Sequence, residues 1–182
     1  VHKVSLCGIS AVGDYGFGDC TNLREVFMSG SATLGKGAFG GCFNLSQLYV
    51  EGVLSIGASA FSRCTSQQHV TIMGGATVGM GAFRECRKLT QVSLPDGLCE
   101  IQPFAFSSCT SLREITIPGS ASVRKGAFRG CINLSQVNLL DGVRTIGPCA
   151  FGDCSSLREI TVPSGTTVSD TAFEAWVTVK TQ

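Results

Sequence analysis

Apolar residues recur along this chain at fixed spacings, and the spacings describe a coil that repeats. The most regular column is Phe, at Phe17, Phe39, Phe61, Phe83, Phe106, Phe128, Phe151 and Phe173, in steps of 22 or 23 residues. An aliphatic stands five positions before each Phe: Val12, Leu34, Ile56, Val78, Ile101, Val123, Ile146 and Val168. Downstream, Leu112, Ile115 and Ile117 are matched by Leu23/Val26/Met28, Leu45/Leu48/Val50, Leu89/Val92/Leu94, Leu134/Val137/Leu139 and Leu157/Ile160/Val162. The last two members of each trio alternate with other residues at period 2, which predicts a short strand with one face buried. Pro95, Pro118 and Pro163 follow at once and end it, because Pro has no N–H to give a ladder.

A period this short predicts a solenoid of about eight coils. Each coil reads as a parallel strand, a turn, a return stretch on an irregular outer side, and a brief Ala-Phe-x-x-Cys turn expected to be helical or 3-10. The residue before each Phe is Gly16 or an Ala, small as close backbone packing requires. At roughly 4.8 Å per coil the stack is roughly 40 Å long around one core. The expected class is an α/β solenoid filling a single domain, 1–182, with strand residues already at Val4 and Leu6 and the whole read as a segment of a longer chain. Residues 174–182 are expected to cap it. Trp176 stands where an eighth column Cys would fall, and with Val177 and Val179 it is expected to seal the core.

Ten Cys raise the question of bridges or metal, and their spacing answers it. Cys20, Cys42, Cys64, Cys86, Cys109, Cys131 and Cys154 occupy one column. Equivalent positions in stacked coils aim their Cβ atoms the same way, leaving them near 5 Å apart where a disulfide prefers ~3.8 Å. A single file of thiols does not surround a zinc ion tetrahedrally. The column therefore reads as core filling, beside the eight Phe, with no metal and no cofactor. Cys7, Cys99 and Cys149 lie outside it, scattered along the coils.

The Leu-x-x-Ile-x-Ile-Pro strand, the Ile-Gly turn and the Ala-Phe-x-x-Cys-x-x-Leu segment resemble the BspA-like leucine-rich repeat, from Val4 to Phe173. The resemblance implies a curved leucine-rich-repeat solenoid, common in surface or secreted proteins of bacteria and in large protist families. It also implies adhesion or recognition roles and no catalytic motif. An intracellular or organellar assembly is the alternative location. Departures from the pattern are Gln67 for Leu, Tyr15 and Phe104 for a small residue, and Trp176 for Cys.

Composition narrows the function further. Fourteen basic and thirteen acidic residues leave a formal charge of +1, which gives no field for nucleic acid. Charged residues are only 15% of the chain, so much of the surface is neutral and suited to an interface. No apolar run approaches the ~18 residues of a transmembrane segment. The two His, His2 and His69, stand apart from any Ser, Asp or Glu arrangement, so no enzyme is expected. Glu114 and Glu159, each beside an Arg (Arg113, Arg158), read as exposed charge ladders. Arg63, Arg84, Arg87 and Lys88 read as a solvated cluster on the opposite side. Asn44-Leu45-Ser46 and Asn133-Leu134-Ser135 match the N-glycosylation acceptor pattern, and the same position also suits a turn residue.

Among strand residues that point outward, most are small or polar. Phe27 and Tyr49 are aromatic neighbours, with His69, Thr71 and Met73 continuing the patch. These five are the candidate contact for a protein partner of unknown identity, in a recognition or adhesion module. The alternative is a structural or scaffolding subunit of a larger assembly with no ligand of its own.

Overall fold

The computed structural model describes residues 1–51, 55–73 and 77–182. Among the described residues seventeen strands follow one another. They run β1 (Lys3–Cys7), β2 (Ala11–Val12), β3 (Glu25–Ser29), β4 (Thr33–Leu34), β5 (Gln47–Glu51), β6 (Ser55–Ile56), β7 (His69–Thr71) and β8 (Thr77–Val78). They continue as β9 (Gln91–Ser93), β10 (Glu100–Ile101), β11 (Glu114–Ile117), β12 (Ser122–Val123), β13 (Gln136–Leu139), β14 (Thr145–Ile146), β15 (Glu159–Val162), β16 (Thr167–Val168) and β17 (Thr178–Thr181). All pairing is parallel and joins each coil to the next, so the molecule is a parallel-strand solenoid of about eight turns.

The outer side is more regular than expected. The aliphatic five positions before each Phe lies in a two-residue strand, and these strands form one eight-stranded sheet from β2 to β16. The odd-numbered strands form four shorter sheets, β1-β3-β5, β7-β9, β11-β13 and β15-β17. Two of the breaks, at β9/β11 and β13/β15, coincide with the 23-residue steps. The added residue there falls in the turns around Asp96-Gly97 and Asp141-Gly142, and the two-residue strands of the outer side stay paired across the same steps, Val78 with Ile101 and Val123 with Ile146. The break at β5/β7 falls on an ordinary 22-residue step.

The Ala-Phe-x-x-Cys segment is a turn and not a helix, and no helix occurs among the described residues, so the α/β and helical-turn expectations do not hold. Donors alternate there. The N–H groups of Ala38, Gly40 and Cys42 reach back three residues to Gly35, Gly37 and Phe39, while those of Gly37, Phe39 and Gly41 reach Ala58, Ala60 and Ser62 of the next coil. An α-helix needs every N–H bonded within its own segment. Residues two before and two after each Phe from Phe17 to Phe151 also take positive φ, for example Ser59 and Arg63 at 55° and 62°. That sign change stops a helix from propagating. Two departures from the pattern find their place here. Tyr15 and Phe104, both at positive φ, lay their rings against Gly37 and Gly126 of the next coil, where an added Cβ would lie 2.6 and 2.5 Å from ring carbon.

The core is a ladder of like residues. Phe39, Phe61, Phe83, Phe106, Phe128 and Phe151 are buried, and the eight rings stack with centroids 5.1 to 5.5 Å apart and planes within 13°. Phe17 and Phe173 are only partly covered, since each has a described neighbour on one side alone. Six column thiols are buried, and each donates its S–H to the Phe carbonyl of the preceding coil, as Cys86 does to Phe61 at 3.2 Å and Cys131 to Phe106 at 3.2 Å. Cys20 is the exception: it is exposed, with no Phe-Cys turn above it among the described residues, and here it is not part of the core. Trp176 likewise does not seal the core. Strand β17 joins Thr178 to Glu159 three residues earlier than the repeat would place it, which leaves Trp176 51% exposed while Val177 packs inward.

Burial sets the reactivity of the thiols, all ten of which are free. Pulse alkylation of the native chain, read by mass spectrometry, is expected to modify Cys7, Cys20 and Cys99 rapidly and half-buried Cys149 more slowly. Cys42, Cys64, Cys86, Cys109, Cys131 and Cys154 should react only on unfolding; prompt labelling of all six would contradict the ladder.

Candidate binding groove on the strand face

Strand register brings the outward aromatics together. Phe27 on β3 pairs with Tyr49 on β5, and their rings stack at 4.6 Å with 10° between planes. Lys3 Nζ sits 4.5 Å from the Phe27 centroid. With Tyr49 against one face of Phe27, the ammonium must cover the other, a cation–π contact that completes the stack on that side. The next residue in the outward column is Thr71, too short to continue it. The far face of Tyr49 is thus open, and Tyr49 is 54% exposed.

That face borders a groove of about 920 Å³ along the break between β5 and β7. Met28 and Leu48 contribute apolar surface beneath it; Gln47, Gln67 and Gln68 contribute amides. The five residues singled out from the sequence, Phe27, Tyr49, His69, Thr71 and Met73, all line this one groove. Cys7 lies at its margin, with its thiol pKa lowered by hydrogen bonds to Ser29 and then Ser5.

Gln67 lies beside the break. It occupies the Leu column beneath the strands and is 98% buried by its neighbours, being 2% exposed. Its Nε2 donates to the carbonyl of His69 at 2.6 Å, engaging a strand carbonyl beside the open ladder. Its Oε1 is buried with no hydrogen-bond partner among the described residues. Leaving such an acceptor unpaired costs about 1–3 kcal/mol. The sequence showed Gln67 as an irregular core residue; only the strand break shows that it belongs to the groove.

The other candidates resolve differently. A second groove of about 550 Å³ opens at the β9/β11 break, lined by polar and charged residues without an aromatic. The basic cluster is answered locally: Glu85 pairs with Arg84 at 3.4 Å and Arg87 at 3.7 Å, and the Arg63 guanidinium lies over Phe43 at 5.2 Å. Glu159 pairs with Lys180 at 2.8 Å, not with Arg158, because parallel register sets β17 beside it. No ion pair of Glu114 occurs among the described residues. Asn44 and Asn133 use Nδ2, the atom a glycan would occupy, to donate to Thr21 and Thr110 carbonyls of the preceding coil, each at 2.7 Å. No helix among the described residues is long and apolar enough to cross a membrane.

Stacked parallel coils with a Phe ladder inside and an aromatic groove on the strand face define a repeat solenoid of the leucine-rich class. The profile of the BspA type leucine rich repeat region matches residues 3–78 and 55–180 in six copies, and the chain belongs to that family. Among solved structures it resembles a leucine-rich repeat protein of T. pallidum (TpLRR), 27% identical, with a TM-score of 0.80 over 86% of this chain and 78% of that one. A leucine-rich repeat protein from Bacteroides ovatus shares the fold at a TM-score of 0.68 and 20% identity, over 98% of this chain and 60% of that one. Comparison with curated protein sequences finds no match.

Proposed function

We propose that this solenoid is a non-catalytic recognition module that binds a protein partner through its strand face, with Phe27, Tyr49, His69, Thr71 and Met73 in the contact. The observation that carries this reading is the stacked Phe27–Tyr49 pair with one ring face open to a groove. Rigid aromatics at a concave site present large apolar area at small entropic cost, which is what binding anchors require. Family membership supports a protein-interaction role, and the family's association with bacterial surface proteins supports a surface or secreted setting, where the role would be adhesion.

The test compares wild type with Phe27→Ala and Tyr49→Ala for a partner captured under gentle extraction. Each substitution is expected to weaken the complex by about 2 kcal/mol, roughly 30-fold, because truncating an anchor removes a hot spot. Melting temperature should stay nearly unchanged, since both rings lie outside the core ladder. Lost stability with undiminished binding would overturn recognition through this patch and favour the scaffolding reading, in which the aromatics only stiffen the sheet.

A further inference from the structure

We propose that the groove between β5 and β7 is a saccharide site, taking a neutral sugar ring of a glycan against the open face of Tyr49. The inference rests on the reading of this groove as the binding surface and names the chemistry of what enters it.

Three observations converge. The stack Lys3–Phe27–Tyr49 is closed at the Lys3 end and open at the groove end, so one aromatic face is presented and no more. An aromatic face of this kind packs against the apolar C–H face of a sugar ring, a contact that needs no charge. Beside it, Gln47, Gln67 and Gln68 supply amides that both donate and accept, with Thr71 supplying a hydroxyl. Such groups match ligand hydroxyls, which also do both. The third observation is Gln67 itself, a nearly fully buried amide in the groove lining whose Oε1 has no partner among the described residues. A ligand hydroxyl satisfies that acceptor, with a modest rotation of the amide toward the groove.

Charge excludes the main competitors. Among the described residues that line the groove there is no Lys, Arg, Asp or Glu. A phosphate or carboxylate ligand would find only the His69 imidazole, with no Lys or Arg beside it, and a cationic side chain would be taken out of water without a carboxylate. An extended peptide that adds a strand between β5 and β7 would hold them two strand spacings apart, roughly 9.5 Å, whereas Cα atoms of the two strands still approach within 8 Å of each other. A volume of about 920 Å³ falls in the usual size range of small-molecule sites.

Titration calorimetry of the intact chain with maltohexaose, cellohexaose and mannohexaose tests the inference, with a hyaluronan hexasaccharide as the acidic comparator. At least one neutral probe should bind, and more tightly than the acidic one. Tyr49→Ala and Gln67→Leu should each weaken that binding about tenfold or more. Gln67→Leu restores the residue type of its column, so it should also raise the melting temperature, which separates loss of the site from loss of the fold. Binding of no neutral probe, preference for the acidic probe, or affinity untouched by both substitutions overturns the proposal. A captured protein partner that still binds through Phe27 and Tyr49 after enzymatic deglycosylation also overturns it, while leaving protein recognition standing. Neutral-sugar binding that depends on Tyr49 and Gln67, with no protein contact at the patch, sustains it and removes the protein reading instead.

Discussion

Raising the pH above 9 is expected to unfold this protein within about one to two pH units. The cause is the thiol ladder. An ordinary Cys ionises near 9.0, but burial pushes the Cys86 and Cys154 thiols up to about 12, and raises Cys64, Cys109 and Cys131 as well. Below pH 9 both folded and unfolded chains keep these protons, and the thiols leave stability independent of pH. Above it the unfolded chain releases them while the folded chain retains them until its own, higher pKa is reached. Each retained proton then favours unfolding by about 1.4 kcal/mol per pH unit. Five enclosed thiols together give a slope of roughly 7 kcal/mol per unit, against a total stability of about 5–15 kcal/mol for a typical domain. The exposed ion pairs, such as Lys180–Glu159, contribute at most about 1 kcal/mol each. Urea titrations under reducing conditions from pH 7 to 11 measure the slope directly. Replacing Cys86 or Cys109 by Ala should lower it by about 1.4 kcal/mol per unit for each thiol removed; a flat profile between pH 9 and 11 would show that the thiols ionise in place.

The column arrangement was legible in the sequence because it is one-dimensional. Phe at 22 or 23 residues needs only the period, and from it follow the parallel stacking, the Phe ladder and the burial of most column thiols. What the period does not carry is where each backbone donor goes. Ala127-Phe128-Arg129 has ordinary helix-forming content, so a helical turn was the natural expectation. In the fold, alternate N–H groups leave for the next coil, Phe128 to Ala150 and Gly130 to Gly152, and no helix forms. That partition is a property of two coils at once. The same holds for the thiols, whose bonds to Phe carbonyls join neighbouring coils and cannot be seen within one repeat.

The groove was partly legible for a related reason. Phe27 and Tyr49 stand out as breaks in a polar column, and the register that brings them together follows from the repeat. The width of the groove does not. It depends on a ladder that fails between β5 and β7, and the sequence shows there a 22-residue step like those that pair normally. Gln67 is the only column residue to mark the site. A polar side chain at a Leu position costs desolvation, so its presence signals a compensating use. Its link to the aromatics, about one coil away along the chain for Tyr49 and about two for Phe27, becomes visible only once the coils are stacked.

Phe106→Ala is expected to cost about 3–5 kcal/mol, the range for removing a fully enclosed aromatic. Phe106 has no exposed surface and lies between Phe83 and Phe128, with ring centroids at 5.3 and 5.4 Å. Its carbonyl also accepts the Cys131 thiol, so a backbone shift to fill the cavity would disturb the adjoining ladder. Collapse is therefore resisted on both sides, which places the cost toward the upper end and corresponds to a fall in melting temperature of roughly 6–20 °C. Phe173→Ala provides the comparison. Its ring stacks only on Phe151, at 5.5 Å, and is already partly exposed, so less contact is lost and solvent can enter the space. In a solenoid each coil is held by its neighbours, and an interior lesion weakens two interfaces where a terminal one weakens one. Equilibrium denaturation of the two variants should therefore rank Phe106→Ala well below Phe173→Ala in stability. Equal losses would contradict both the difference in burial of the two rings and the coupling of coils through the stack.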